Sequence, residues 1–130
     1  MIKIAIVGCT GKLGSAIMKS ALKNSNVEVS YAIARKGNQF VGKRISEIIG
    51  GNSDLIIIDD IEAAVNCDVF IDCTNAETFM NNSYVKYEKM QKALVIATTA
   101  FSEEDIDRIN LLAKNIPVFM TGNFSVALHD

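Results

Sequence analysis

Three evenly spaced glycines, Gly8, Gly11 and Gly14, have the residue type and spacing of a phosphate-binding loop. They stand in the run Gly8-Cys9-Thr10-Gly11-Lys12-Leu13-Gly14, a G-x-x-G-x-x-G variant of the dinucleotide fingerprint. Glycine lets a strand turn sharply into a helix, and without a Cβ atom the backbone N–H groups can reach a pyrophosphate. The helix N-terminus attracts the phosphates, and Lys12 adds a cation. We therefore predict a diphosphate site, the alternative being a glycine-rich loop without a ligand.

A basic pair, Arg35 and Lys36, follows the second predicted strand about 20 residues after the glycine motif. In dinucleotide folds an acidic residue there binds the ribose 2′-hydroxyl, whereas a cation suits a 2′-phosphate. Ala34 stands where the acid would be. The pair favours NADPH over NADH, with NADH still possible, and the alternative is a solvated basic turn.

Short apolar runs alternate with helical patterns along the whole chain. Strands are predicted at 2–7, 27–33, 55–58, 69–71, 93–97 and 118–120, and helices at 13–24, 45–49, 61–65 and 77–92. A last helix begins after Ser102, whose spacing to Asp105 predicts a capping box. This order predicts an α/β fold with a doubly wound parallel sheet of about six strands, a Rossmann-like dinucleotide-binding domain.

Polar residues follow several of these strands at one edge of the predicted sheet. Thr74 comes after the fourth strand, Thr98 and Thr99 after the fifth, and Asn123 and Phe124 after the sixth. Ligands of doubly wound sheets bind beyond the carboxyl ends of the strands. Each position alone is compatible with ordinary turn chemistry, but together with the glycine loop they indicate one site.

The composition limits the function further. The chain has 130 residues, 49% hydrophobic and 22% charged, which predicts a single domain with a substantial core. A net charge of -2 gives no overall field for nucleic acid or an anionic membrane. No apolar run is long enough to span a bilayer and no signal peptide is evident, so a cytoplasmic protein is expected. The three cysteines lack C-x-x-C spacing, and neither a disulfide framework nor a metal site is predicted.

Three further stretches carry a family resemblance: Val69-Phe70-Ile71-Asp72-Cys73-Thr74, Ala97-Thr98-Thr99-Ala100-Phe101 and Gly122-Asn123-Phe124-Ser125-Val126. With the glycine loop they resemble 4-hydroxy-tetrahydrodipicolinate reductase, also called dihydrodipicolinate reductase, an oxidoreductase of lysine and diaminopimelate biosynthesis. The resemblance runs from Met1 to about Val126.

The resemblance implies a set of cofactor-binding residues. The diphosphate would lie on Gly8, Cys9, Thr10, Gly11, Lys12 and Leu13, with Arg35 at the adenosine. The nicotinamide pocket would be lined by Thr98, Thr99, Thr121, Gly122, Asn123 and Phe124, and Thr99 would also touch the substrate. The family usually has glycine at Thr78, Ala97 and Ala100; the methyl group of Ala97 leaves the backbone groups available to the cofactor but crowds the nicotinamide.

The family's catalytic histidine pair and lysine belong to a second, substrate-binding domain, and His129 does not match that motif. We therefore expect residues 1–130 to form the cofactor-binding domain, with no catalytic residue and no turnover alone. In the intact enzyme the substrate would be a cyclic imine dicarboxylate and the assembly a homo-oligomer, a tetramer by family resemblance.

The alternative is a standalone NADP(H)-binding or redox-sensing module. A P-loop phosphotransferase is excluded, because two residues rather than four separate Gly8 from Gly11.

Overall fold

A computed structural model describes residues 1–121 of the chain. Its centre is one six-stranded sheet in the order β3-β2-β1-β4-β5-β6, and every neighbouring pair of strands is parallel. The strands are β1 (Ile2–Val7), β2 (Val27–Ile33), β3 (Ile57–Ile58), β4 (Val69–Asp72), β5 (Ala93–Ile96) and β6 (Val118–Met120). The chain winds outward from β1 in one direction and from β4 in the other, so the winding reverses between these two central strands. The predicted doubly wound sheet is confirmed.

The helices alternate with the strands. They are α1 (Lys12–Lys23), α2 (Ser46–Ile49), α3 (Ala76–Thr78), α4 (Tyr84–Met90) and α5 (Glu103–Leu112), with a 3-10 turn at Ile61–Ala63. The predicted capping box at the start of α5 is present, because Ser102 and Asp105 each accept a hydrogen bond from the other's backbone N–H. In this part of the chain, no helix is both long and apolar enough to cross a membrane.

Alternate residues of β1 supply the two halves of the core. Ile4 and Ile6 pack with Met18 of α1 on one face of the sheet. Ala5 and Val7 lie on the other face, in the cluster that contains residues of α4 and α5. This two-sided burial explains why the strand reads as a continuous apolar run instead of an alternating one.

Two predicted elements differ in the structure. The third strand is limited to Ile57–Ile58 because the residues before it pair with the preceding loop: Ile45 N–H donates to the Leu55 carbonyl at 2.8 Å, and Ile56 forms an antiparallel bridge with Arg44. The predicted continuous helix at 77–92 is interrupted, since α3 and α4 are joined by a π-helical segment, Phe79–Ser83. That segment inserts an extra residue per turn and changes which side chains face the sheet.

Candidate functional site

The glycine loop joins β1 to α1 at the carboxyl edge of the sheet. Gly8 has a φ of +86°, and a Cβ atom on it would lie 2.9 Å from the Cys73 carbonyl carbon. Gly14 is packed still more closely, because a Cβ atom there would lie 1.9 Å from the Gly8 carbonyl oxygen. These two glycines bring the start of α1 directly against the ends of β1 and β4.

Gly11 has a different role. Its φ is -77°, so the positive φ of the turn lies at Gly8 and not at Gly11. Among residues 1–121, the one atom near a Cβ atom built there is the Gly8 carbonyl oxygen, at 3.6 Å. The described part of the chain thus leaves the space above Gly11 open, as a cradle for a diphosphate requires.

The N-terminus of α1 offers unpaired donors. Within residues 1–121, no hydrogen-bond acceptor is found for the backbone N–H groups of Lys12, Leu13 and Gly14. The first turn holds no acidic side chain, and Gly11 supplies no side-chain cap. Free N–H groups at the positive end of a twelve-residue helix are suited to an anion. By contrast, the Cys9 side chain is fully buried and its N–H donates to the Ile33 carbonyl at 3.2 Å.

A cavity of about 360 Å³ opens beside Gly8 and brings several predicted residues together. Arg35 and Lys36 line it from the turn after β2, and Thr74 lines it from the loop after β4. The turn is tied to the glycine loop, because the Asn38 side chain donates to the Thr10 hydroxyl at 3.1 Å. The cavity thus lies where the winding of the sheet reverses, the usual ligand position in this architecture.

Several residues that line this cavity were not predicted from the sequence. Its other lining residues include Asp59, which follows β3, and a polar group on the interrupted helix: Thr78, Asn82, Ser83 and Lys86. The sequence does contain a pattern that indicates these lining residues. A spacing of four residues separates Thr78, Asn82 and Lys86, which places them on one side of a helix. Their direction depends on the π segment, which the sequence pattern did not predict.

A buried carboxylate fixes the loop after β4. Asp72 is fully buried; one of its oxygens accepts from the Thr74 hydroxyl at 2.6 Å and from the Thr74 N–H at 3.0 Å. Its other oxygen accepts from the Tyr87 hydroxyl at 2.5 Å. Burial raises the pKa of Asp72 above its ordinary value, an effect that the hydrogen bonds from Thr74 and Tyr87 oppose. Thr74 is thereby held in one orientation at the cavity wall.

Four further predicted residues follow β5 and β6 at the same edge, and none of these four lines the cavity: Ala97, Thr98, Thr99 and Thr121. Thr98 is buried, Thr99 is exposed, and Ala97 is half-buried with its N–H donating to the Asp72 carbonyl at 2.9 Å. Ala100 has a φ of +72°, a conformation that glycine adopts more readily. Thr121 is half-buried after β6, and its N–H donates to the Ile96 carbonyl. Gly122, Asn123 and Phe124 lie outside the described residues.

The cysteines have the environment of core residues. Cys9, Cys67 and Cys73 are all free and buried. Burial raises the pKa of Cys9 to about 11, and burial together with the Asp72 charge raises that of Cys73 to about 12. Thiols with such pKa values are poorly reactive. No group of three or more potential metal ligands occurs among residues 1–121.

A second cavity, of about 710 Å³, lies at the C-terminal end of α1 and is lined by Lys19, Leu22, Lys23 and residues 49–53. It is the larger of the two, but it contains none of the residues that the sequence singled out. It also lies at the negative end of the α1 dipole, which disfavours a phosphate.

A parallel sheet with reversed winding, a glycine loop after β1 and a free helix N-terminus together define a dinucleotide-binding domain of the Rossmann type. Residues 2–124 match the family model described as dihydrodipicolinate reductase, N-terminus. The chain belongs to this family.

Curated relatives with the same name agree with that assignment. The chain is 34% identical over 130 residues to 4-hydroxy-tetrahydrodipicolinate reductase from Buchnera aphidicola subsp. Acyrthosiphon pisum (strain 5A), covering 98% of this chain and 48% of the relative. It is 37% identical over 131 residues to that from Geobacter metallireducens, covering 99% and 48%. The chain thus spans about half the length of the curated relatives it matches.

Solved structures confirm the fold. A dipicolinate-bound dihydrodipicolinate reductase from Paenisporosarcina sp. TG-14 aligns with a TM-score of 0.68 at 21% identity, covering 97% of this chain and 49% of that one. An aspartate semialdehyde dehydrogenase with NADP from Candida albicans aligns with a TM-score of 0.70 at 15% identity, covering 98% and 44%.

Proposed function

We propose that this chain is the cofactor-binding half of an NAD(P)H-dependent dihydrodipicolinate reductase. The observation that carries the proposal is the continuity of the site: the open N-terminus of α1, the glycine loop and the basic cavity lie side by side at one edge of the sheet. A dinucleotide needs this combination, because its diphosphate and adenosine must be bound together. The relatives are named 4-hydroxy-tetrahydrodipicolinate reductase, and the substrate class that the family resemblance implies is a cyclic imine dicarboxylate.

In this proposal each part of the chain has a binding role. The free N–H groups of α1 hold the diphosphate, while Arg35 and Lys36 hold the adenosine end. Thr98, Thr99 and Thr121 lie toward the nicotinamide, and Thr99, which is exposed, is placed to touch the substrate. The reduced nicotinamide supplies the hydride, and the chain orients the ring that carries it.

The basic turn makes NADPH the preferred cofactor. Arg35 and Lys36 are exposed at the cavity mouth, and no carboxylate of the described residues forms an ion pair with either. Ala34 is buried and presents no negative charge to a 2′-phosphate. Hydrogen bonds between charged partners contribute about 1.5 to 3 kcal/mol each, so the 2′-phosphate should raise the affinity at least about tenfold.

Calorimetric titration of residues 1–130 with each cofactor tests this proposal. We expect NADPH to bind more tightly than NADH, and Arg35→Ala to reduce the ratio about tenfold. Arg108→Ala is the matched control, because Arg108 is an exposed residue of α5 that stacks on Tyr84 away from the cavity. Equal affinities, or an unchanged ratio in Arg35→Ala, would contradict the NADPH assignment; no binding of either cofactor would contradict the function.

The same 130-residue chain tests whether the reaction requires the family's second domain. Residues 1–130 contain no paired histidines and no accompanying lysine of the family's catalytic motif, so the groups that the resemblance assigns to proton delivery and to the substrate carboxylates are not among them. We propose that this polypeptide binds NADPH without oxidising it when the substrate is generated in place. Robust NADPH oxidation would show that the reaction needs no second domain.

A binding or redox-sensing module without catalysis is the second candidate. Thiol-based sensing is disfavoured by the burial and raised pKa values of Cys9 and Cys73. Cofactor binding with no enzyme activity in a longer polypeptide that includes the second domain would favour this candidate.

A further inference from the structure

The cavity beside Gly8 has two walls that come from distant parts of the chain. Arg35 and Lys36 form one wall, on an exposed turn that includes Gly37 at a φ of +84°. The other wall comes from the π segment and α4, and Lys86 is the one cation that the described residues contribute to it. The cavity therefore collects three cationic side chains, although the chain as a whole has a net charge of -2.

Lys86 is half-buried and has no partner among the described residues. Among residues 1–121, no carboxylate lies within 4.0 Å of its ammonium, and no hydrogen bond involves its side chain. Lys89, three residues later, differs in both respects: it is exposed and pairs with Glu62 at 2.8 Å. The Lys86 ammonium, which has no partner among residues 1–121, is therefore available to an anion bound in the cavity.

One carboxylate is found among the described residues that line the cavity, and it does not neutralise Lys86. Asp59 lines the cavity but forms no ion pair with Arg35, Lys36 or Lys86 within residues 1–121. The three cations consequently remain available to a ligand that carries more than one negative charge. The 2′-phosphate of NADPH is such a group, with a charge of about -1.5 to -2 near neutral pH.

We propose that Lys86 is a specificity-determining residue that binds the 2′-phosphate of NADPH from the helical wall, opposite the basic turn. This assignment rests on the proposed function and adds to it a second source of NADPH preference. The helix holds Lys86 in place, whereas Arg35 and Lys36 are on an exposed turn. The backbone of Lys86 is therefore already fixed by the helix before the ligand binds, which favours a substantial contribution to discrimination.

The test is a cofactor titration of the 130-residue chain and its variants. The fluorescence of the reduced nicotinamide in NADPH and NADH reports their binding directly. Lys86→Met removes the charge while keeping an unbranched side chain, and Lys114→Met is the matched control at an exposed position after α5. Circular dichroism verifies folding, and Lys86→Gln replaces Lys86→Met if the latter does not fold.

We expect Lys86→Met to weaken NADPH binding about tenfold or more while NADH binding changes less than about threefold. Lys86→Arg should retain the preference, and Lys114→Met should leave both affinities unchanged. An unchanged NADPH to NADH ratio in Lys86→Met, or an equal loss in Lys114→Met, overturns the assignment and leaves the proposed function standing. Failure of the unmodified chain to bind either cofactor overturns the proposed function and this assignment together.

Discussion

At the scale of single residues, the three glycines of the loop have three different roles. Gly8 supplies the positive φ of the turn, and Gly14 allows α1 to approach the Gly8 carbonyl. Gly11 has ordinary dihedral angles and open space around it. The sequence motif predicted that all three matter, but only the geometry separates the two that the fold needs from the one that a ligand needs.

This separation gives a paired prediction. Gly11→Val should abolish measurable NADPH binding, because its side chain occupies the diphosphate cradle, while changing the free energy of unfolding by only about 1 kcal/mol or less. Gly14→Ala should instead destabilise the fold by about 1 to 3 kcal/mol or more, because its methyl group overlaps the Gly8 carbonyl oxygen.

Urea denaturation and cofactor titration of both variants provide the measurement. Gly42→Ala is the control for backbone strain without steric overlap, because Gly42 has a φ of +90°, an unobstructed Cβ position and no place in the cavity lining. Undiminished affinity in Gly11→Val would show that the diphosphate does not bind above this glycine. Full stability of Gly14→Ala would show that α1 does not pack as closely as described.

At the scale of elements, β4 and α4 are joined by a buried polar contact. Asp72 ends the strand, and the Tyr87 hydroxyl reaches it from the helix. Tyr87 is itself fully buried, and burial raises its pKa well above the ordinary value, with the Asp72 charge adding to the effect. The contact therefore consists of a neutral tyrosine donating to a carboxyl group that burial makes costly to ionise.

The raised pKa of Asp72 predicts a pH dependence of stability. Its stabilising contribution is fully present below the pKa of an unfolded aspartate, about 3.9, and is lost as the pH rises through the folded pKa. In Asp72→Asn this dependence disappears. As the pH falls from about 8 to about 4, the unfolding free energy of the unmodified chain should therefore rise relative to that of Asp72→Asn.

Urea denaturation at several pH values measures that difference. Asp107→Asn, at an exposed position of α5, is the control for loss of a surface carboxylate. A constant difference between the unmodified chain and Asp72→Asn across the range would contradict a raised folded pKa for Asp72.

The interruption of the predicted helix could not be inferred from the sequence pattern. The apolar residues between 79 and 90 correctly predicted a helix that covers the sheet. They did not predict the π segment Phe79–Ser83, because its i to i+5 hydrogen bonding leaves no distinct periodic pattern over so few residues. Lys86 was missed for this reason, since its place on the cavity wall depends on the helix phase after that segment.

At the scale of the whole molecule, the fold was predictable because the local sequence patterns agree with the overall topology. Strands buried on both faces alternate with amphipathic helices, and parallel connections then leave few possible topologies. The carboxyl edge of the sheet was likewise predictable as the ligand edge. The composition of the cavity beside Gly8 was not, since it unites residues at the ends of β1 and β2, residues after β3 and β4, and residues of the interrupted helix.

The central claim is that one nicotinamide dinucleotide binds along this carboxyl edge, and amide chemical-shift mapping of the 15N-labelled chain during an NADPH titration tests it most directly. Binding should shift the amides of residues 10–14, 35–36, 74, 82–86 and 98–99, and leave the second cavity at Lys19, Lys23 and residues 49–53 unchanged. NADH should produce the same pattern with smaller changes at 35–36 and 82–86. Shifts confined to the second cavity, or none at saturating NADPH, would contradict the account.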